Sequence, residues 1–120
     1  MVYIADIQKT YAMVLGAVLV LVGLLGFVMG SPLLGLFGVN PAQNVLHLVA
    51  GALGLWLGSK GSGKAYNMWT GIIAAVVAVL WWVPGASSLL VGIFNINDTI
   101  TYLHAAIAVV SLGVAYGVKE

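Results

Sequence analysis

From Thr10 to Ser59 the chain runs for 50 residues without an Asp, Glu, Lys or Arg, and from Ala65 to Asn97 it does so for another 33. Stretches of that length cannot form the surface of a soluble domain, where about a quarter of the residues are charged. Here the charged fraction is 6%, contributed by Asp6, Lys9, Lys60, Lys64, Asp98, Lys119 and Glu120, while 62% of the 120 residues are hydrophobic. A chain with that balance is expected to use the bilayer as its solvent, and each uncharged stretch has room for spans of about 20 residues. The net charge of +1 has no basic cluster behind it and offers no footprint for nucleic acid. With no cysteine, disulfides, iron–sulfur clusters and thiolate zinc sites are excluded.

Uninterrupted apolar length predicts an all-α integral membrane four-helix bundle occupying residues 1–120 as a single transmembrane domain, with spans at about 11–30, 41–59, 66–83 and 99–118. Asn40 before Pro41 reads as an N-cap with proline at the first helical position, and Asn97 before Asp98 as a cap followed by an anion at a helix start. Gln43 stands three residues after Asn40, where a capping box places its second member. Ser31-Pro32, the Gly58 to Gly63 run and Pro84-Gly85 are stop signals. The short connector at Gly61 is expected to make the second and third spans antiparallel neighbours. Lys9, Lys60, Lys64 and Lys119 fall on one side of the four spans, so positive-inside bias places both termini in the cytoplasm of a multi-pass cell-membrane protein. Trp56, Tyr66, Trp69 and Tyr116 are then expected at the inner interface, with Phe37, Trp81, Trp82 and Phe94 at the outer one.

The chain also repeats itself. At an offset of 55, Lys9, Tyr11, Met13, Gly16 and Gly30 align with Lys64, Tyr66, Met68, Gly71 and Gly85. At an offset of 57, Gly35-Leu36-Phe37-Gly38-Val39-Asn40 aligns with Gly92-Ile93-Phe94-Asn95-Ile96-Asn97, and Leu46-His47 with Leu103-His104. Repeat 1 covers 9–62 and repeat 2 covers 64–119, each holding two spans. An even number of spans per copy gives a parallel repeat, so a pseudo-twofold axis is expected along the membrane normal. The first span is longer than a signal-peptide core, and its match to the third argues against its cleavage.

On the second span His47, Gly51, Gly54 and Gly58 fall at i, i+4, i+7 and i+11, one stripe of a helix; on the fourth, His104, Ala108, Ser111 and Ala115 do the same. Small stripes let helix backbones approach in lipid, so these two helices are expected to be buried near the pseudo-axis, with Gly16, Gly23, Gly71, Ala75 and Ala78 offering similar surfaces. Each histidine lies seven residues, about 10 Å, beyond its capping asparagine. Ionisable groups at membrane depth are costly and mark candidate polar or ligand sites. Three readings are open. Neutral imidazoles can bond neighbouring helices as structural glue; His47 and His104 can ligate a haem between them; or, with Asp98, they can form a proton path or pH switch. No metal site is expected, because two histidines leave a catalytic zinc one protein ligand short.

Asp98 at a first helical turn is explained by the helix dipole, and Asn40 and Asn97 by capping. No nucleotide loop, nucleophile–base pair or carboxylate pair is present, which points to a non-enzymatic protein. The loops 31–40 and 86–97 are uncharged and apolar. They are expected to lie in the interface, dip onto the bundle so that Phe37 and Phe94 cover the histidines, or meet another subunit. The chain is expected to have a structural or assembly role in the lipid bilayer, self-associating or partnering other membrane proteins through the small-residue faces and these loops.

The run Gly35-Leu36-Phe37-Gly38-Val39-Asn40-Pro41 followed by Asn44-Val45-Leu46-His47 and Gly51 resembles the N-x(6)-H-x(3)-G signature of a family of small prokaryotic four-helix membrane proteins catalogued as a domain of unknown function. The resemblance covers nearly the whole chain and implies four spans and a prokaryotic origin; it brings no activity or ligand. The second copy departs from the signature at Ala108, where the first has Gly51.

Overall fold

Glycine decides how the first two helices meet. In the computed structural model, which describes residues 4–31 and 33–118, α1 (Ile4–Met29) and α2 (Pro41–Lys60) cross with Gly16 against Gly51. A Cβ on Gly16 would stand 2.7 Å from the Gly51 carbonyl oxygen, and one on Gly51 would stand 2.5 Å from the Gly16 oxygen. The two backbones are in contact there, and neither position has room for a side chain. Further along the same stripe Gly54 and Gly58 lie over Ala12 and Met13. The second hairpin pairs α3 (Lys64–Leu80) with α5 (Asp98–Gly117), where Gly71 seats Leu112 at the crossing and Ala108, Ser111 and Ala115 are buried. Pro32, with Ser31 the expected stop of α1, lies outside the described residues, as do Lys119, one of the four topology lysines, and Glu120.

The small stripes are buried: on α2, Gly51 and Gly58 lie against α1 and Gly54 beneath Tyr66 of α3, and on α5 Ser111 meets Tyr11 of α1. Contacts between the hairpins are sparser. They run between α1 and both α3 and α5, between α2 and α3, and between α2 and residues 86–94 of the second loop, whereas α2 and α5 hardly touch. The two helices of each hairpin close on each other, and α2 and α5, which carry the histidines, are left apart.

Among the described residues there are five helices rather than four. The second loop holds α4 (Ala86–Phe94), nine residues that start after Gly85 (φ +87°) and stop at Asn95, itself in the left-handed region at φ +56°. The Asn95 N–H closes the helix on the Leu90 and Val91 carbonyls. The equivalent loop of the first repeat instead makes a tight turn in which Leu33 and Phe37 exchange backbone hydrogen bonds of 2.8 and 3.0 Å. Leu90, Ile96 and Ile100 form a core cluster beneath the loops, with Phe37, Val77, Leu80, Trp81 and Phe94 packed on it. Both loops thus fold back onto the helices.

Hydrogen bonds tie the hairpins together at both ends. Where the loops lie, Asn40 Nδ2 donates to the Ile93 carbonyl at 2.7 Å and Asn97 Nδ2 to the Leu36 carbonyl at 3.1 Å. Asn40 and Asn97, like Leu36 and Ile93, are separated by the offset of 57. The clasp is therefore reciprocal. Asn95 adds bonds to Val39 and Ser31. At the other end the fully buried Gln8 donates to the Val114 and Val118 carbonyls at 2.8 and 2.9 Å and accepts from Asn67 Nδ2 at 2.9 Å. Tyr11 shares a hydrogen bond with Ser111, while Tyr66 lies over Gly54, the counterpart of Ser111, and donates to the Ala50 carbonyl at 2.8 Å. Tyr66 is accordingly a buried strut and not the interfacial anchor expected of it; Trp56, Trp69 and Tyr116 are exposed.

The residues 7–29 of α1 and the whole of α5 are long and apolar enough to cross a bilayer; α3, with 17 residues, is a shorter apolar helix. The fold is 43 Å in its longest dimension, close to the roughly 40–45 Å of a bilayer with its headgroups.

Candidate ligand site between the hairpins

Because the hairpins are pinned at their ends and held apart between α2 and α5, a cavity of about 390 Å³ opens among them. His47 of α2 and His104 of α5 both line it. So do Leu19 and Ala74, separated by the offset of 55, and Ala50 and Ile107, separated by 57. Phe94 and Ile96 contribute from the second loop, whereas Phe37 packs into the adjacent cluster and leaves the cavity wall to others.

Asn40 and Asn97 are placed by their helices: Asn40 Oδ1 accepts from the Gln43 N–H at 2.9 Å and Asn97 Oδ1 from the Ile100 N–H at 3.0 Å. With the start of each helix fixed, seven further residues carry each histidine to the same depth. Gln43 departs from its capping-box reading. Its Nε2 donates to the carbonyls of Gly38 at 2.9 Å and Phe94 at 2.8 Å, bridging the two repeats and bringing its side chain to the cavity wall.

The wall is otherwise aliphatic apart from Thr70 and Phe94, and its polar groups are unusual in being unpaired. Gln43 Oε1, His47 Nδ1 and His104 Nδ1 are buried with no hydrogen-bond partner among the described residues. Gln43 as a whole is only 4% exposed. Leaving one such atom unsatisfied costs about 1–3 kcal/mol, and these three atoms present almost no surface to the cavity that their residues line.

Asp98 is not brought to the site. It is exposed at the first turn of α5, where its Oδ1 accepts the Trp81 indole N–H at 2.7 Å. The proton-path reading thereby loses its carboxylate from the cavity. No cluster of three or more metal-ligating His, Cys, Asp or Glu side chains occurs among the described residues. Among the described residues the cavity lining brings together two imidazoles, one amide and the Thr70 hydroxyl.

Gln43 is the residue that sequence reasoning left out of the site. A signal was present, because its counterpart in the second repeat is Ile100. A polar side chain stands where the duplicated copy is apolar, and capping alone does not account for it.

Over residues 9–117 the chain matches the family described as Domain of unknown function (DUF4383), and it belongs to that family. No curated protein and no solved structure matches it.

Proposed function

We propose that this member of the DUF4383 family is a non-enzymatic membrane protein that holds an apolar guest in the cavity between its hairpins. The observation that carries the reading is one cavity of about 390 Å³ whose otherwise apolar lining includes Gln43, His47 and His104. Small-molecule sites have this composition, a largely apolar wall with a few polar groups, and volumes of roughly 300–1,000 Å³.

In the proposed arrangement α1, α2, α3 and α5 cross the cell membrane, both termini are cytoplasmic, and the two repeats form a pseudo-twofold bundle. The reciprocal Asn40–Ile93 and Asn97–Leu36 bonds support the pseudo-symmetry, as do the matched seats of Tyr11 on Ser111 and Tyr66 on Gly54. The test is chemical. Organic extraction of protein purified in mild detergent is expected to release an apolar molecule that is depleted from a His47→Leu/His104→Leu double variant of unchanged helicity. Extracts identical in composition from the two proteins would remove the proposal.

Haem is the alternative guest, favoured by the two imidazoles sharing one cavity. It predicts a Soret band that is lost in both His47→Ala and His104→Ala, and a colourless native preparation rules it out. A structural role in assembly is a second reading. The small stripes are occupied within the hairpins, so it rests on Leu34, Leu36, Leu89 and Ile93 around the loops, each more than half exposed. A species larger than the 12.4 kDa monomer in mild detergent supports it, and a strictly monomeric mass counts against it.

A further inference from the structure

We infer that the guest is the acyl chain of a bilayer lipid, which enters the cavity sideways through a window between α2 and α3. The inference rests on the proposed membrane-embedded cavity and adds both the class of guest and its route.

The window is defined by its edges. Most of the cavity lining comes from α2 and α3, two helices that make few contacts with each other. Each contributes one lining residue that is also widely exposed, Leu46 on α2 at 51% and Ile73 on α3 at 61%, so the cavity reaches the molecular surface at these two side chains. The gap between the helices is bridged at both ends. Towards the loops Gln43 Nε2 donates to the Phe94 carbonyl at 2.8 Å, and towards the connector the Tyr66 hydroxyl donates to the Ala50 carbonyl at 2.8 Å.

Divergence between the repeats makes the space. Ala50 and Ala74 stand on the α2–α3 side, and their counterparts on α5 and α1 are Ile107 and Leu19. Leu19 and Ile107 pack on the core cluster of Ala12, Leu15 and Tyr66. Two large side chains therefore fill one side of the pseudo-twofold, and two alanines leave the other side open. An apolar void left empty deprives its lining of van der Waals contacts. In a bilayer the nearest atoms able to restore them belong to lipid chains.

The depth of the cavity matches one leaflet. Along α2 it runs from Gln43 to Ala50, about 4.5 to 15 Å from Asn40, and along α3 from Val77 to Thr70, about the same distances from Leu80. Half of a hydrocarbon core of about 30 Å is the same 15 Å. The surface offered there is mainly carbon, because Gln43 Nε2 is spent on the Gly38 and Phe94 carbonyls while Gln43 Oε1 and both histidine Nδ1 atoms present almost no surface. A volume of about 390 Å³, at the small end for a binding site, takes a single chain and leaves the headgroup outside the window.

The experiment reconstitutes the full chain in phosphatidylcholine vesicles with one of two photoreactive probes, a phosphatidylcholine carrying a diazirine at the middle of one acyl chain or a small iodophenyl diazirine with no headgroup. Labelled positions are read by peptide mass spectrometry. The lipid probe is expected to label Leu19 and Ala74 inside the cavity as well as the outward-facing Val76 and Val79, and to leave the buried Leu15, the counterpart of Thr70, unlabelled. In an Ala50→Ile/Ala74→Leu variant, which gives the open side the residues of the closed one, labelling of Leu19 is expected to be lost while that of Val76 and Val79 persists and shows that the helices still insert. Ala50→Ile alone provides the same comparison if the double variant fails to insert. Labelling of Leu19 by the small probe but not by the lipid probe overturns the acyl-chain assignment and leaves a cavity for a free apolar guest. Labelling of Leu19 by neither probe removes the cavity reading as well, and lipid labelling that persists at Leu19 in the filled variants overturns the window.

Discussion

Glycines in this chain divide into two groups that substitution can tell apart. At Gly51 an added methyl group meets the Gly16 carbonyl oxygen at 2.5 Å and the Val20 nitrogen at 2.6 Å, both backbone atoms that yield only if a whole helix moves. At Gly113 the same methyl meets nothing within 4 Å. Gly51→Ala is therefore expected to cost about 1–3 kcal/mol through overpacking, whereas Gly113→Ala is expected to be neutral or to gain up to about 1 kcal/mol from helix propensity. Unfolding by denaturing detergent, followed by far-ultraviolet circular dichroism, separates the two. Equal destabilisation by both would mean that the α1–α2 crossing does not have the geometry described above. The capping asparagines allow a finer dissection. Asn40→Ala loses the cap to Gln43 N and the donor to Ile93, while Asn40→Ser keeps a capping oxygen and loses the amide donor. The alanine variant is expected to be the less stable of the two, with the cap contributing about 1 kcal/mol of the difference by thermal unfolding.

At the scale of elements, apolar length and capping chemistry made the four long helices legible, because those signals are local to each segment. Asn40 and Asn97 mark the starts of α2 and α5 by their own side chains. What α2 packs against was not legible. A stripe of Gly51, Gly54 and Gly58 states that a backbone comes close, and not whose backbone it is. The short α4 escaped notice for a similar reason: no side chain caps its start, it carries no charge, and its nine residues are apolar on most sides. Its docking hangs on few groups. Leu90 is buried in the cluster with Ile96 and Ile100, while its neighbour Leu89 is 63% exposed. Leu90→Ala is expected to destabilise the chain by about 2–3 kcal/mol, at the lower end for a core leucine, and Leu89→Ala to change little. Hydrogen exchange is the decisive measurement, since the loss of protection is expected to concentrate in residues 86–94. The candidate site was half legible in the same sense. His47 and His104 stand out as ionisable groups in apolar segments, but Gln43 had a local explanation in capping that concealed its place at the cavity.

For the whole molecule, the hairpins behave as two units joined by specific polar contacts at their ends. The closest packing lies within each repeat, and the covalent connection between repeats is the short segment around Gly61, an exposed residue whose Cα has nothing packed over it. Exposed connectors of this kind tolerate a break when the contacts around them hold the parts in place. Here those contacts are the Asn40 and Asn97 clasp at one end and the Gln8, Asn67 and Tyr11 bonds at the other. Fragments 1–61 and 62–120, produced together as separate chains, are thus expected to associate and to co-purify through a tag on either one. Association is expected to weaken when Gln8→Leu removes the amide bonded to Val114, Val118 and Asn67, because three buried groups then lose a partner at once. The same change in the intact chain is expected to have a smaller effect on assembly, since the connector keeps the hairpins at a high effective concentration. Fragments that insert in the membrane but never co-purify would show that the hydrogen bonds at the two ends do not hold the hairpins together, and that the cavity between them depends on the connector.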